Sequence, residues 1–158
     1  MGFREPITSP TAQQISVIIP LYNKEAEVER ALRSVIEQSL TPREIIIVDD
    51  GSTDNSAAIV ERIITETPNA NIRLIRQKNA GVSAARNRAI TEAAGEYVAL
   101  LDADDYWLTG YIAEVCRLME YYPTADCYST AFDIQSNNQR HRANTSQQEG
   151  YINPATEA

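Results

Sequence analysis

Residues 44–75 read EIIIVDDGSTDNSAAIVERIITETPNANIRLI. From Ile45 to Val48 every position is apolar. A strand built from that run is buried on both faces, as parallel strands covered by helices are. Asp49, Asp50, Gly51, Ser52 and Thr53 form a turn after it. Ile59, Val60, Ile63 and Ile64 then recur at helical spacing until Pro68 and Asn69. Residues 72–75, Ile-Arg-Leu-Ile, make another short strand. Strand, helix and strand in this order predict a parallel pair joined by a covering helix.

The same alternation extends in both directions. Residues 15–19 are a β-branched strand stopped by Pro20. Residues 25–38 carry Val28, Ala31, Leu32, Val35 and Ile36 on one helical stripe, with Glu25 and Glu27 expected in its first turn. Asn79-Ala80-Gly81 predicts a turn, residues 82–93 an alanine-rich helix with Gly95 as its C-cap, and residues 96–101 a fourth strand ending at Asp102. Residues 111–121 read as a fourth helix and 126–130 as a fifth strand. The fold expected is α/β, a mostly parallel sheet with helices on both faces.

Residues 1–14 form a loose leader, 15–134 the folded domain, and 135–158 a polar tail. In that tail Tyr151 and Ile152 are the only large apolar residues, and His141 is assigned no role. The chain of 158 residues fits one domain, and 43% hydrophobic with 23% charged residues is a globular composition. A net charge of −8 argues against a nucleic-acid partner, which needs clustered Lys and Arg. It does not argue against a nucleotide, because a divalent cation reverses the local sign of an acidic site. Cys116 and Cys127 read as two buried, reduced thiols. No transmembrane run or signal-peptide core is present, so a cytoplasmic location is expected, including the inner face of a membrane. Asn144 opens a glycosylation triplet of the kind chance supplies.

Polar residues collect where the predicted strands end: Pro20 to Asn23, Asp49 to Ser52, Gln77 to Gly81, and Asp102 to Asp105. In a doubly wound sheet the carboxyl ends of the strands converge on one rim, where ligands bind. Asp50, Asp102, Asp104 and Asp105 would repel one another there unless a hard divalent ion joined them. Asp-Ala-Asp places the carboxylates of Asp102 and Asp104 on one side of an extended strand end. The blander reading has Asp104 and Asp105 capping the next helix or forming a turn. Asp50 is read as a ligand-binding carboxylate, with Ser52 or Asp54 capping the second helix. Gly81 lets backbone approach a ligand closely. Arg86 and Asn87 read on pattern alone as solvated helix residues, and Tyr106 and Trp107 as core contacts. No glycine-rich dinucleotide fingerprint or P-loop occurs, which leaves phosphates to be held through metal. A nucleotidyltransferase would need a glycine- and lysine-rich loop near the first strand, and Pro20-Leu21-Tyr22-Asn23 is unlike one.

Residues 16–23, 47–54, 79–87 and 95–105 together resemble the ordered motifs of glycosyltransferase family 2. The resemblance implies the Rossmann-like GT-A fold in its donor-binding, N-terminal part, with the acceptor half missing from this chain. It implies a nucleotide-diphosphate-sugar donor, with UDP the expected base, a Mg²⁺ or Mn²⁺ ion, and a hydroxyl acceptor in polysaccharide, glycolipid or cell-wall synthesis. By carry-over, Pro20, Tyr22 and Glu25 line the base and ribose pocket, Asp50 meets the base and Arg86 the nucleotide. Gly81 and Ala103 belong to the same donor site. Asp102 serves the ribose or the metal, and Asp104 ligates the metal. The implied reaction is inverting transfer. Its general base is expected beyond residue 158, because Asp133 and Glu149 have no supporting motif. A donor-binding module with little or no transfer activity is the alternative. A sheet edge left bare is expected to self-pair into a homodimer.

Overall fold

The computed structural model describes residues 11–130, together with the backbone of 133–136 and 139–142. A 3-10 turn at Ala12–Gln14 leads into β1 (Ile15–Leu21). There follow α1 (Val28–Ile36), β2 (Glu44–Asp49), α2 (Ser56–Glu66), β3 (Ile72–Arg76), α3 (Val82–Glu92), β4 (Tyr97–Leu100) and α4 (Tyr111–Tyr121). The four strands form one parallel sheet in the order β3-β2-β1-β4.

β1 and β2 are buried at every position, which matches their continuous apolar runs. Alternate side chains divide between two layers. Ile15, Val17, Ile19 and Leu21 of β1 join Ile45 and Ile47 in one core. Val28, Leu32 and Val35 of α1, Val60 and Ile63 of α2, and Ile112 and Met119 of α4 cover that face. On the other face Ile18, Ile46 and Val48 pack against Ala85 and Ala89 of α3. The small residues let this helix lie close over the two central strands. Each fully buried Ile, Leu or Val contributes about 1.5–3 kcal/mol. The doubly covered parallel sheet is therefore the one expected.

Several local expectations need correction. Residues 126–130 are not a strand. The Tyr128 hydroxyl donates to the Tyr122 carbonyl at 2.8 Å and its ring meets Tyr97 edge-on, so this segment closes the end of α4 instead of joining a ladder. Further on, β5 (Asp133–Ser136) and β6 (Gln139–Arg142) pair antiparallel as a separate two-stranded sheet. Glu25 precedes α1, in a turn closed by Glu27 and Val28 N–H groups on the Lys24 carbonyl. Gly95 is not the helix cap, since α3 ends at Glu92 with Ala93 as its C-cap. A Cβ at Gly95 would lie 2.7 Å from Gln14 O, Ser16 N and Ser16 Oγ, so close approach demands glycine there. Cys116 is buried as expected, but Cys127 is exposed. Residues 1–10, the triplet at Asn144 and Glu149 lie outside the described residues.

At the amino-terminal end of the sheet Glu44 is a buried acceptor. It takes hydrogen bonds from Ser16 Oγ (2.8 Å), Ala94 N (2.7 Å) and Arg73 Nη2 (2.9 Å). Burial pushes this carboxyl up, but those donors together outweigh it and hold Glu44 below the usual carboxylate range.

Candidate functional site

The loops after β1 and β2 are laced into one piece. Asn23 turns left-handed at φ 48°, a conformation asparagine tolerates. Its Oδ1 accepts the Thr53 N–H at 2.8 Å, and its own N–H donates to Ser52 Oγ at 3.0 Å. Lys24 N donates to Ser56 Oγ at 2.8 Å, and Glu25 N to Asp54 Oδ2 at 3.1 Å. Glu25 Oε2 accepts the Asn55 N–H at 2.9 Å in return. Asp54 Oδ1 also takes the Ser56 N–H at 3.0 Å, which makes it the helix-start acceptor for α2. Ser52 is instead committed to Asn23. Pro20 lies buried in β1, while Tyr22 leaves 47% of its surface exposed at the rim.

Asp50 follows β2 and is only 3% exposed. Oδ1 accepts Gln77 Nε2 at 2.8 Å and Ala80 N at 2.9 Å, and Oδ2 accepts Gly81 N at 2.7 Å. Burial pushes its carboxyl up, but these three donors prevail and hold it below the usual range. It thereby fixes the loop that starts α3. Gly51, at φ +76°, brings its backbone against that loop, and a Cβ there would sit 3.0 Å from Asn79 N. Gly81, at φ 91° and ψ 159°, occupies a region reserved almost wholly for glycine. A Cβ on it would meet nothing within 4 Å, so the start of α3 is open to an incoming group.

The acidic segment is a turn, not a strand end: Asp105 N donates to Asp102 O at 3.0 Å. Ala103 is buried in the core and anchors it. Arg86 of α3 pairs with Asp102 Oδ1 at 2.5 Å. Lys24 Nζ pairs with Asp104 Oδ2 at 2.8 Å, and Arg30 Nη2 donates to the Asp104 carbonyl at 2.8 Å. The Arg30 guanidinium also lies 4.8 Å from the centre of the Tyr106 ring. The Lys24 ammonium holds the Asp104 carboxyl below its usual range. Asp105 is pushed up by burial and then by Asp104 and Asp102. Trp107 stacks on Tyr111 at 4.1 Å and packs on the core, as expected of it.

The structure brings Asp102, Asp104 and Asp105 together with three cations, and turns Asp50 onto the 77–81 loop. The expected four-carboxylate centre does not form. Among the described residues no group of three or more His, Cys, Asp or Glu could hold a metal. Lys24 and Arg86 offset the charge of Asp104 and Asp102. The side chains of Asp102 and Asp104 are nonetheless each 48% exposed. Mg²⁺ and Mn²⁺ bind through one or two carboxylates when phosphate oxygens and water complete the shell. The donor set therefore fits an ion that arrives with a phosphate ligand, and not one caged by protein alone. Sequence reading placed Asn23 and Gln77 at this rim without giving them a role, and missed Lys24 and Arg30. A signal for Lys24 was present, since it directly follows the first polar cluster.

A cavity of about 500 Å³ lies at the other end of the strands, lined by Thr11, Leu40, Thr41 and Cys116, and touches none of these residues. No described helix is long and apolar enough to cross a membrane.

The sequence and the fold have known counterparts. The chain is 48% identical over 95 residues to YibD of Escherichia coli K12, an uncharacterized glycosyltransferase, covering 60% of this chain and 27% of YibD. It superposes on S. aureus TarS residues 1–349 in complex with UDP with a TM-score of 0.63 and 29% identity, over 69% of this chain and 32% of that one. It also superposes on the mannosyltransferase PcManGT of Pyrobaculum calidifontis in complex with GDP-Man and Mn²⁺. There the TM-score is 0.64 and the identity 28%, over 74% of this chain and 36% of that one. The chain thus spans about a third of these proteins' lengths. The sheet is that of the GT-A fold. The family model for Glycosyl transferase family 2 matches residues 16–157, and the chain belongs to that family.

Proposed function

We propose that this chain holds a nucleotide-diphosphate-sugar donor, a UDP-sugar, at the carboxyl-end rim of its sheet, for inverting transfer to a hydroxyl acceptor in polysaccharide, glycolipid or cell-wall synthesis. The observation that carries the reading is the juxtaposition of Asp102, Asp104, Lys24 and Arg86 beside the open start of α3. UDP in TarS and GDP-Man with Mn²⁺ in PcManGT support the ligand class.

In this reading Tyr22 offers its exposed ring to the base, with Pro20 and Glu25 holding the loop beneath it. Asp50 shapes the base pocket by fixing residues 77–81, and Gly81 leaves room for the nucleotide. Arg86 meets the nucleotide and orients Asp102 toward the ribose or the ion. Ala103 sets the height of the acidic turn. Asp104, with Asp102, would hold Mg²⁺ or Mn²⁺, which supplies charge stabilisation to the departing diphosphate. The acceptor hydroxyl attacks the anomeric carbon while the nucleotide diphosphate leaves, and a carboxylate outside the described residues takes the proton. Residues 15–134 form the donor-binding unit, acting in the cytoplasm. A homodimer would use the outer edge of β4, where Leu100 is 51% exposed.

A second reading, donor binding without transfer by this chain, is favoured by the partnered state of Asp50, Asp102 and Asp104. Calorimetry with UDP and Mn²⁺ tests the first: binding is expected, lost with EDTA or in Asp104→Ala. Absence of UDP, GDP and dTDP binding would refute it. Binding without sugar transfer would select the second.

A further inference from the structure

Lys24 is fixed at its backbone and committed at its tip. Its N–H donates to Ser56 Oγ at 2.8 Å, and Ser56 is fully buried. Its carbonyl accepts the Glu27 and Val28 N–H groups that begin α1. From that anchored position the ammonium reaches across to Asp104 Oδ2 at 2.8 Å, with 38% of the side chain exposed. Arg30 holds the same turn through the Asp104 carbonyl, which leaves the carboxylate itself to Lys24. The carboxylate best placed for an ion is thus already neutralised by a cation the protein supplies.

We propose that Lys24 is a resident counter-ion of Asp104 which a divalent metal must displace, and which transfers to the donor's diphosphate when metal and donor bind together. This rests on the donor-site reading above. A lysine suits the exchange, because its ammonium is a compact charge on a flexible stem that serves carboxylate or phosphate equally. Metal alone must compete with a cation and leaves the ammonium without a partner. Metal with a diphosphate gives the displaced ammonium a new one. Binding of ion and donor is then mutually reinforcing, and by linkage each tightens the other by the same factor.

The test measures Mn²⁺ binding to the intact chain by the electron paramagnetic resonance of free Mn²⁺, with and without UDP. Removing a half-exposed competing ion pair is worth up to about fivefold. Lys24→Met is therefore expected to bind Mn²⁺ alone about three- to fivefold more tightly than the unmodified chain. With saturating UDP the gap should close or reverse. Arg117→Met removes one positive charge at the other end of the sheet, where Arg117 pairs with Glu114, and should change Mn²⁺ affinity less than about twofold. Unchanged circular dichroism and urea midpoint would show that Lys24→Met folds.

Asp104-dependent Mn²⁺ binding that Lys24→Met leaves equal or weaker would overturn the counter-ion role while the donor site stands. Equal tightening by Arg117→Met would also overturn it, since general charge would then be the cause. No Asp104-dependent Mn²⁺ binding even with UDP would overturn the donor-site reading and this inference together.

Discussion

Replacing Asp50 by asparagine separates its structural part from any ligand contact. The side chain is 3% exposed and accepts three hydrogen bonds, two on Oδ1 and one on Oδ2. A carboxamide of the same shape has one acceptor oxygen. Its better orientation keeps Gln77 and Ala80 and sets the NH₂ group against the Gly81 N–H, donor facing donor. One charge-assisted bond, about 1.5–3 kcal/mol, is lost, and the other two weaken as the charge disappears. Asp50→Asn should therefore cost about 3 kcal/mol, read as a lower urea midpoint at unchanged slope. The pH dependence has a definite sign. The folded carboxyl lies below its usual value, so its stabilisation is present above the unfolded pKa of about 4 and disappears as pH falls through the depressed folded value. The gap between the two proteins should be full at pH 7 and narrow below about pH 4. A loss under about 1 kcal/mol at pH 7 would refute the claim that this carboxylate fixes the 77–81 loop.

Three further outcomes follow from the same packing. Glu44→Ala leaves the Ala94 N–H and the Ser16 hydroxyl proton without their acceptor, while Ser16 Oγ keeps the Gly95 N–H, and should cost about 3–4 kcal/mol in urea unfolding; Glu44→Gln, which keeps one acceptor, should cost about half of that. UDP affinity, measured by calorimetry, should be unchanged in the glutamine variant, because Glu44 lies at the far end of the sheet. Gly95→Ala forces a Cβ to within 2.7 Å of two backbone atoms of the preceding turn and β1, and should unfold more readily than Gly81→Ala in a thermal melt. Gly81→Ala meets no neighbour and should lose only the conformational cost of about 1–3 kcal/mol.

The sheet was legible because β1 and β2 carry long apolar runs and the helices α1 and α2 carry a 3.6-residue stripe. Ranking the strand ends as one rim was equally legible, since parallel strands must place Asn23, Asp50 and Asp102 at the same end. The misread fifth strand shows the limit of local pattern. Cys127 and Tyr128 look extended, but the Tyr128 hydroxyl finds the Tyr122 carbonyl, a contact that periodicity does not encode. Within the site, sequence put the carboxylates at one rim and did not show whom they face. Asp50 and Asp104 sit in similar polar turns, yet one is buried by backbone donors from residues 80–81 and the other is met by Lys24. Those partners are set by how loops far apart in the chain fold over one another.

The order β3-β2-β1-β4 also bears on how the chain reaches this state. β1 is synthesised first and becomes the middle of the sheet, yet it gains its second neighbour only after residues 22–96 have been made. Until then a strand of seven buried residues keeps one open edge. Such edges are where nascent chains pair wrongly with one another. The short, non-local closure by Tyr97–Leu100 is thus the step on which translation rate and chaperone access should act, and β4 is where a lesion would send the protein to aggregates before it ever met a donor.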